Sequence, residues 1–474
     1  MVFSTREFAV FFVLVFFLTW ALSDRVRARN IFLGAASLFF YACWSPLYLT
    51  LILFSVASNY YATRFMHPAE GRRRRLWLWA GVVSNLAILF AYKYLGFATS
   101  SLQLLVEALE LGIEVPYVKL LLPVGISFYT FQSMSYTVDV YYRRLEPTKS
   151  LLEFCTFVSF FPQLVAGPIV RARDFLPQLR QRSVLTDAQA GEAVHRILVG
   201  LVKKVAISDF LAVNMVDRVF ENPAMYSSVE VLVGVYAYAL QIYCDFSGYS
   251  DIAIGTARLL GFHIPENFEL PYRARNLRDF WRRWHISLST WLRDYLYKPL
   301  GGSRGKWRWL TYRNLFITML LGGLWHGPGW TWVAWGGLHG LGLAWVRFFD
   351  ERRKARGRPE PTAPWRQAVG VFLTFHFVCA LWILFRAKTF PKAMDVFEVL
   401  GELSTQTPNL PWTVLLALAA GYLGHFLPDI VPKTSIRLFQ RLPAMGWAVV
   451  AAGVVYFLTL VASSDVVPFI YFQF

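Results

Sequence analysis

The sequence predicts an all-α polytopic membrane protein, and three features predict it. Apolar runs close to the roughly 20 residues that a helix needs to cross a bilayer recur along the whole chain. Hydrophobic residues make up 56% of the 474 positions and charged residues 16%, so a soluble fold of this length would leave too much apolar surface in water. The basic residues fall in short clusters between the apolar runs, the pattern that the positive-inside rule produces at cytoplasmic loops.

The formal net charge of +17 is therefore a matter of topology. No basic helix or aromatic platform accompanies it, so membrane lipids are expected as partners and nucleic acid is not. The four cysteines (Cys43, Cys155, Cys244, Cys379) stand singly in apolar contexts, which fits core positions better than disulfides or a zinc site.

The first apolar run, 8–22, could pass for a signal peptide with Ala21 and Ser23 framing a cleavage point. Its positive charges follow it, at Arg25, Arg27 and Arg29, which favours a retained helix with its amino end outside. Further helices are expected at 31–44, 46–63, 76–92, 118–141, 193–213, 229–260, 310–325, 330–349, 367–385, 412–430 and 445–462, with less regular crossings near 95–112 and 151–170. That makes about 11 to 14 transmembrane and re-entrant helices. Placing the clusters at 71–75, 143–144, 171–182, 304–313, 351–358 and 433–441 in the cytoplasm puts both chain ends outside. The whole chain reads as a single integral membrane domain, with peripheral helices at 1–115, a core at 116–350 and carboxyl-terminal helices at 367–474.

Between 261 and 309 the chain becomes polar and aromatic, with tryptophan and tyrosine alternating with arginine. Such segments lie at an interface or enter the membrane partway. Irregular backbone at that depth needs protein or a water-filled cavity around it, so this stretch is expected to line a cavity.

Ionisable groups in membrane segments mark function or a locked pair. In "QIYCDFSGYSDIAIG" (241–255), a helix stacks Gln241, Asp245 and Tyr249 on one face and turns Asp251 away. A carboxylate paired with an arginine from 273–283 is the structural expectation there, and direct catalysis the alternative. Of the eight histidines, His67, His195, His376 and His425 have bland surroundings. His339, in "WGGLHGLGL", sits between glycines that permit close helix packing, and a structural role is favoured. His285 lies in the cavity-lining stretch beside Arg282, Arg283 and Trp284.

His326 stands in "LLGGLWHGPGW" (320–330), next to Trp325 and among glycines and Pro328 that should break the helix. Glycines leave room for a substrate and tryptophans exclude water. Two readings stand: a histidine hydrogen-bonded between helices, or a general base, since imidazole changes charge near neutrality.

Nucleotide and metal motifs are missing. "GGSRGKW" has too short a spacing for a phosphate loop, and no His-Glu-x-x-His pair or Gly-x-Ser-x-Gly elbow occurs. No histidine has an aspartate five positions on, as acyltransferases acting on glycerol phosphates do.

Several long segments resemble the membrane-bound O-acyltransferases, in particular the bacterial branch of alginate O-acetylation and teichoic-acid D-alanylation. They are "LLPVGISFYTFQSMSYTVDVYY", "FPQLVAGPI", "IYCDFSGYSDIAIGTARLLGF", "PENFELPYRARNLRDFWRRWHISLSTWLRDYLYKPLGG" and "GGLWHGPGWTWVAWGGLHG". The resemblance implies a ring of helices around a central tunnel between two cavities, in the inner membrane of a bacterium. It places the family's central histidine on His326 and its second polar position on His285; the residues singled out above, Asp245, Tyr249, Asp251, Trp325, Arg282, Arg283 and His339, are then the candidate tunnel or supporting residues. It implies acetyl-CoA or another acyl thioester as co-substrate with no bound cofactor or metal. It also implies a polysaccharide acceptor and a periplasmic partner of esterase-like fold. The ending "SSDVVPFIYFQF" is similar to that of a small partner subunit of D-alanylation, so Tyr471 is either an aromatic interface anchor or an acyl relay. The rival functions are a transporter or flippase, weakened by the lack of an inverted repeat, and a scaffold of polysaccharide export.

Overall fold

A computed structural model describes residues 3, 5–118, 120–165, 167–304, 307–359, 362–462 and 469. Helices are the only regular elements among them, and they form two compact units, Met1–Ala190 with Ala253–Pro265 and Gly191–Ile252 with Glu266–Phe474.

The first unit contains α1 (Arg6–Ala21), α2 (Val26–Ala42), α3 (Leu49–Met66), α4 (Gly71–Leu89), α5 (Leu95–Ala108), α6 (Ile126–Tyr141), α7 (Leu151–Ser159), α8 (Phe161–Leu164) and α9 (Ala172–Leu179). The helix expected from 118 begins at Ile126, because Pro123 and Gly125 interrupt it. Gly125 has φ +75°, and a Cβ there would lie 2.6 Å from the Leu164 carbonyl oxygen. The crossing expected near 151–170 is two short helices, with Pro162 in the second. Buried polar side chains join α3, α4 and α6: Ser55 donates to Asn85 at 2.6 Å, and Thr137 donates to Asn59 at 2.6 Å. Such bonds hold helices together where lipid offers no hydrophobic drive. In the "GRRRR" run, Arg74 turns inward and donates to the Val140, Tyr141 and Met66 carbonyls, placing its charge at the carboxyl ends of α6 and α3.

The second unit holds α10 from Gly191 onward (Asp187–Leu201), α11 (Asp217–Glu221), α12 (Ser228–Leu259) through Ile252, α13 (Leu277–Arg283), α14 (Ile286–Leu292), α15 (Arg308–His326), α16 (Trp330–Ala355), α17 (Pro364–Arg386), α18 (Phe390–Gly401), α19 (Trp412–Phe426), α20 (Ile430–Gln440) and α21 (Ala444–Val461). The polar stretch 261–309 is broken into short helices, as expected of a re-entrant segment. Asn276 caps α13 by accepting the Asp279 amide at 3.0 Å, and Pro364 opens α17, where a missing N–H costs nothing. The segment 193–213 continues past Leu201 as π-helical turns at Val202–Asp209 and Ala212–Val216, a form that often marks functional positions. Neither α18 nor α20 was expected. The basic stretch 433–441 overlaps α20, which bends 91° away from α19.

The chain is an all-α polytopic membrane protein. Four described spans are long and apolar enough to cross a bilayer alone: Gly71–Ala108, α12, α17 and α21, with α19 and α20 a fifth if taken as one bent span. Other apolar runs fold as shorter helices, such as α1 with 16 residues and α2 with 17. Buried serine, threonine and asparagine lower the hydropathy of others without exposing polar groups to lipid.

Candidate active site

His326 is the last residue of α15. Gly327, Pro328 and Gly329 end that helix, and α16 starts at Trp330, so the two helices form a hairpin with His326 at its tip. The glycines serve the hairpin itself, which corrects their reading as substrate space. A Cβ on Gly323 would lie 2.2 Å from the Trp332 carbonyl oxygen, and one on Gly336 would lie 2.3 Å from that of Met319. One on Gly327 would lie 2.4 Å from the Trp332 ring. The absent side chains let two backbones and one indole close up.

The His326 imidazole is boxed by rings. Centroids of Trp325, Trp335 and Phe385 lie 5.0, 5.2 and 5.3 Å away, and that of His285 lies 6.4 Å away. His326 is 3% exposed and His285 is fully buried. The sequence-predicted pair is thus brought together, with Trp325 against both rings.

His285 lies between α13 and α14, in a loop that packs on the segment after α12. Backbone bonds from Glu269 N to the Arg283 carbonyl and from Ile286 N to the Asn267 carbonyl, each 2.9 Å, clamp that loop into a bracket. His285 lies within it at φ +43°, and its Nδ1 is 3.1 Å from Asn267 Oδ1. Arg283 braces the same bracket by donating to the Glu269 carbonyl and to Asp279, so it supports the loop.

A cavity of about 570 Å³ is lined by Arg278, Arg282, Arg293 and Arg347 together with Trp281, Ser289, Thr290 and Ile286, the residue that follows His285. Trp281 lies 5.8 Å from Trp335, the ring that packs on His326, so two indoles separate cavity from imidazole. Arg278 is ion-paired with Asp350, Arg293 with Asp294, and Arg347 with Glu351. Burial raises the Asp294 carboxyl, but hydrogen bonds from Arg293 and Lys298 outweigh it and leave it at about 2. Among the described residues Arg282 is the one of the four with no carboxylate partner, and it is exposed.

The remaining expected residues fall in two groups. His339 is buried in a ring cluster, where Trp281 Nε1 donates to its Nδ1 at 3.3 Å and Trp335 lies 4.7 Å away. Asp245 and Asp251 form ion pairs with groups other than the arginines of 273–283. Lys204 bonds Asp245 at 2.8 Å and Asp209 at 2.6 Å, while Asp251 bonds Lys203 at 2.7 Å and Arg196 at 2.9 Å. The π turn that follows α10 carries both lysines to α12. Tyr249 packs on Lys204 and on Phe469, and Phe469 also touches Phe246, whose ring lies 4.6 Å from His285. Tyr471 lies outside the described residues. Asn267, Ser250, Ser287 and Lys204 had no signal in the sequence, since their relevance arises from contacts made across the fold.

The described residues form a helical membrane protein with two buried imidazoles side by side and an arginine-lined cavity. The chain belongs to the membrane-bound O-acyltransferase family, which matches residues 116–383, and it is an O-acyltransferase. It is 41% identical over 430 residues to "Probable alginate O-acetylase AlgI" of Pseudomonas aeruginosa, covering 89% of this chain and 79% of that protein. It is 35% identical to the peptidoglycan O-acetyltransferase of Helicobacter pylori, covering 84% and 79%. It is 29% identical to the teichoic acid D-alanyltransferase of Bacillus subtilis, over 56% of this chain and 69% of that protein.

Proposed function

We propose that the whole chain works as one acyltransferase domain in a bacterial inner membrane, moving acetyl from a cytoplasmic thioester, most simply acetyl-CoA, to an extracytoplasmic acceptor. The relatives named for alginate acetylation favour an alginate-like exopolysaccharide, reached directly or through a periplasmic partner of esterase-like fold. No bound cofactor or metal is needed, because an activated hydroxyl attacks a thioester unaided.

His326 is the general base. Its imidazole takes the proton of the acceptor hydroxyl as that oxygen attacks the thioester carbonyl, and the tetrahedral intermediate collapses to ester and thiolate. The thiolate leaves with the proton from the imidazolium, so no net charge is left in the site. The rings of Trp325, Trp335 and Phe385 keep water from competing for the acyl group. The arginine-lined cavity receives the donor, with Arg282 disposed to meet its phosphates. His339, Asp245, Asp251 and Arg283 hold the walls. Tyr471, two positions after Phe469, is the acyl relay towards the partner.

The single observation that carries this proposal is the buried His285–His326 pair, with ring centroids 6.4 Å apart. It is tested by His326→Ala in cells: the polymer should lose its acetyl groups while the protein still inserts, and retained acetylation would refute the proposed base.

A further inference from the structure

One residue meets both the ring of His285 and the two residues that follow it. Asn267 is fully buried, and it spends both its carbonyl groups on the segment carrying His285. Its backbone oxygen accepts the Ile286 amide at 2.9 Å, and its Oδ1 accepts the Ser287 amide at 3.3 Å and the Ser287 hydroxyl at 2.9 Å. Those amides open α14 and have no partner within the helix. His285 stands directly before them at φ +43°, in the left-handed region that a residue with a Cβ enters at a cost. Asn267 therefore holds the backbone conformation that aims the imidazole.

The same Oδ1 lies 3.1 Å from His285 Nδ1. Chemistry identifies that atom as oxygen: the Ser287 amide needs an acceptor, and the other end of the carboxamide donates to Ser250 Oγ at 3.1 Å. An oxygen without a proton can only accept, so Nδ1 is the nitrogen that carries hydrogen. A neutral imidazole has one N–H, which leaves the lone pair on Nε2. Among the described residues, the titratable ring facing His285 is His326 on α15, 6.4 Å away between centroids. The other rings against it, Phe246 on α12, Phe268 and Trp325, are uncharged.

We infer that Asn267 is a positioning residue that pins His285 in its Nδ1–H tautomer, making Nε2 a proton acceptor in the site. The inference rests on the acyl transfer proposed above. The proton that leaves the acceptor hydroxyl passes to His326, can be shared with Nε2 of His285, and ends on the departing thiolate. While neutral, His285 does not donate to an oxyanion.

The test is steady-state acetyl transfer by the purified full chain in liposomes, with acetyl-CoA and a short oligosaccharide, comparing Asn267→Ala, Asn267→Asp, His285→Ala, the Asn267→Ala/His285→Ala double variant and His326→Ala. Losing an aimed proton acceptor should lower kcat of Asn267→Ala on the order of 10²-fold, with donor KM unchanged. Asn267→Asp keeps an acceptor at Nδ1 and the cap on α14, but its charge favours imidazolium, so the acid limb of kcat should move up by about one pH unit or more. In the His285→Ala background, Asn267→Ala should cause no further loss. A fall in folded yield with kcat and pH limb unchanged, or losses that multiply in the double variant, would overturn the inference. Active His326→Ala would instead sink the acyl-transfer proposal, whereas inactive His326→Ala beside wild-type Asn267 variants would sink the inference alone.

Discussion

His285 and His326 come from different parts of the chain, a loop bracket and a hairpin tip, and their rings stand 6.4 Å apart in a shell of tryptophan and phenylalanine. Each is aimed by its own device, the Asn267 clamp for His285 and the glycine-closed α15–α16 hairpin for His326. The transfer proposed for this site depends on both devices, and each can be broken separately.

In the proposed mechanism the arginine cavity binds the donor and the imidazoles carry the chemistry. Arg278, Arg293 and Arg347 already have carboxylate partners, so Arg282 is the guanidinium able to meet a donor phosphate without breaking an ion pair. Arg282→Glu should raise the KM for acetyl-CoA by about tenfold, equivalent to roughly 1.4 kcal/mol, and leave kcat within about twofold. Initial rates at varied acetyl-CoA check this, and an unchanged KM would move the donor elsewhere.

The hairpin prediction concerns stability. Gly323→Leu places a side chain where a Cβ alone would lie 2.2 Å from a backbone oxygen, so it should cost about 1–3 kcal/mol or more and lower the melting temperature in detergent. Gly424 on α19 has nothing within 4 Å of its built Cβ. Gly424→Ala should leave stability unchanged or raise it by a few tenths of a kcal/mol, as about 1 kcal/mol of helix propensity is offset in part by context. Thermal unfolding followed by near-UV dichroism distinguishes the two.

Charge arithmetic orders two variants of the buried cluster. Lys204 meets both Asp209 and Asp245, so Lys204→Met leaves two carboxylates around an apolar side chain and should cost on the order of 3–5 kcal/mol. Asp245→Asn leaves the Lys204–Asp209 pair intact and should cost much less. The yield of folded protein from membranes and its melting temperature should follow that order, and the reverse order would mean that the cluster does not carry those charges.

The apolar runs located the helices that hold the site. The run 229–260 is α12 at Ser228–Leu259, and 310–325 is α15 at Arg308–His326, because a long apolar run flanked by polar residues has one way to satisfy its backbone in lipid. His285 and His326 were legible through their setting in arginine, tryptophan and glycine and through family resemblance. The glycines were misread because sequence shows a missing side chain without showing whether substrate, backbone or an indole fills its place. A carboxylate of 241–255 was expected to meet an arginine from 273–283, yet Asp245 pairs with Lys204, 41 positions earlier, and Asp251 with Lys203 and Arg196, brought over by α10 and a π turn that periodicity does not encode. Asn267 carried no signal, since its carboxamide acquires meaning from Ser250, His285 and Ser287 only after the loop closes. The helices α18 and α20 went unread because α18 is short and α20 mixes apolar with basic residues.

In the proposed mechanism His326 takes the proton of the acceptor hydroxyl. The most direct measurement is transfer of labelled acetyl from acetyl-CoA by purified His326→Ala in liposomes, with acetyl-CoA binding measured on the same sample. Binding should persist while transfer falls by about 10²–10⁴-fold, the share that a general base supplies. Transfer at the wild-type rate by a correctly inserted His326→Ala protein would contradict the account.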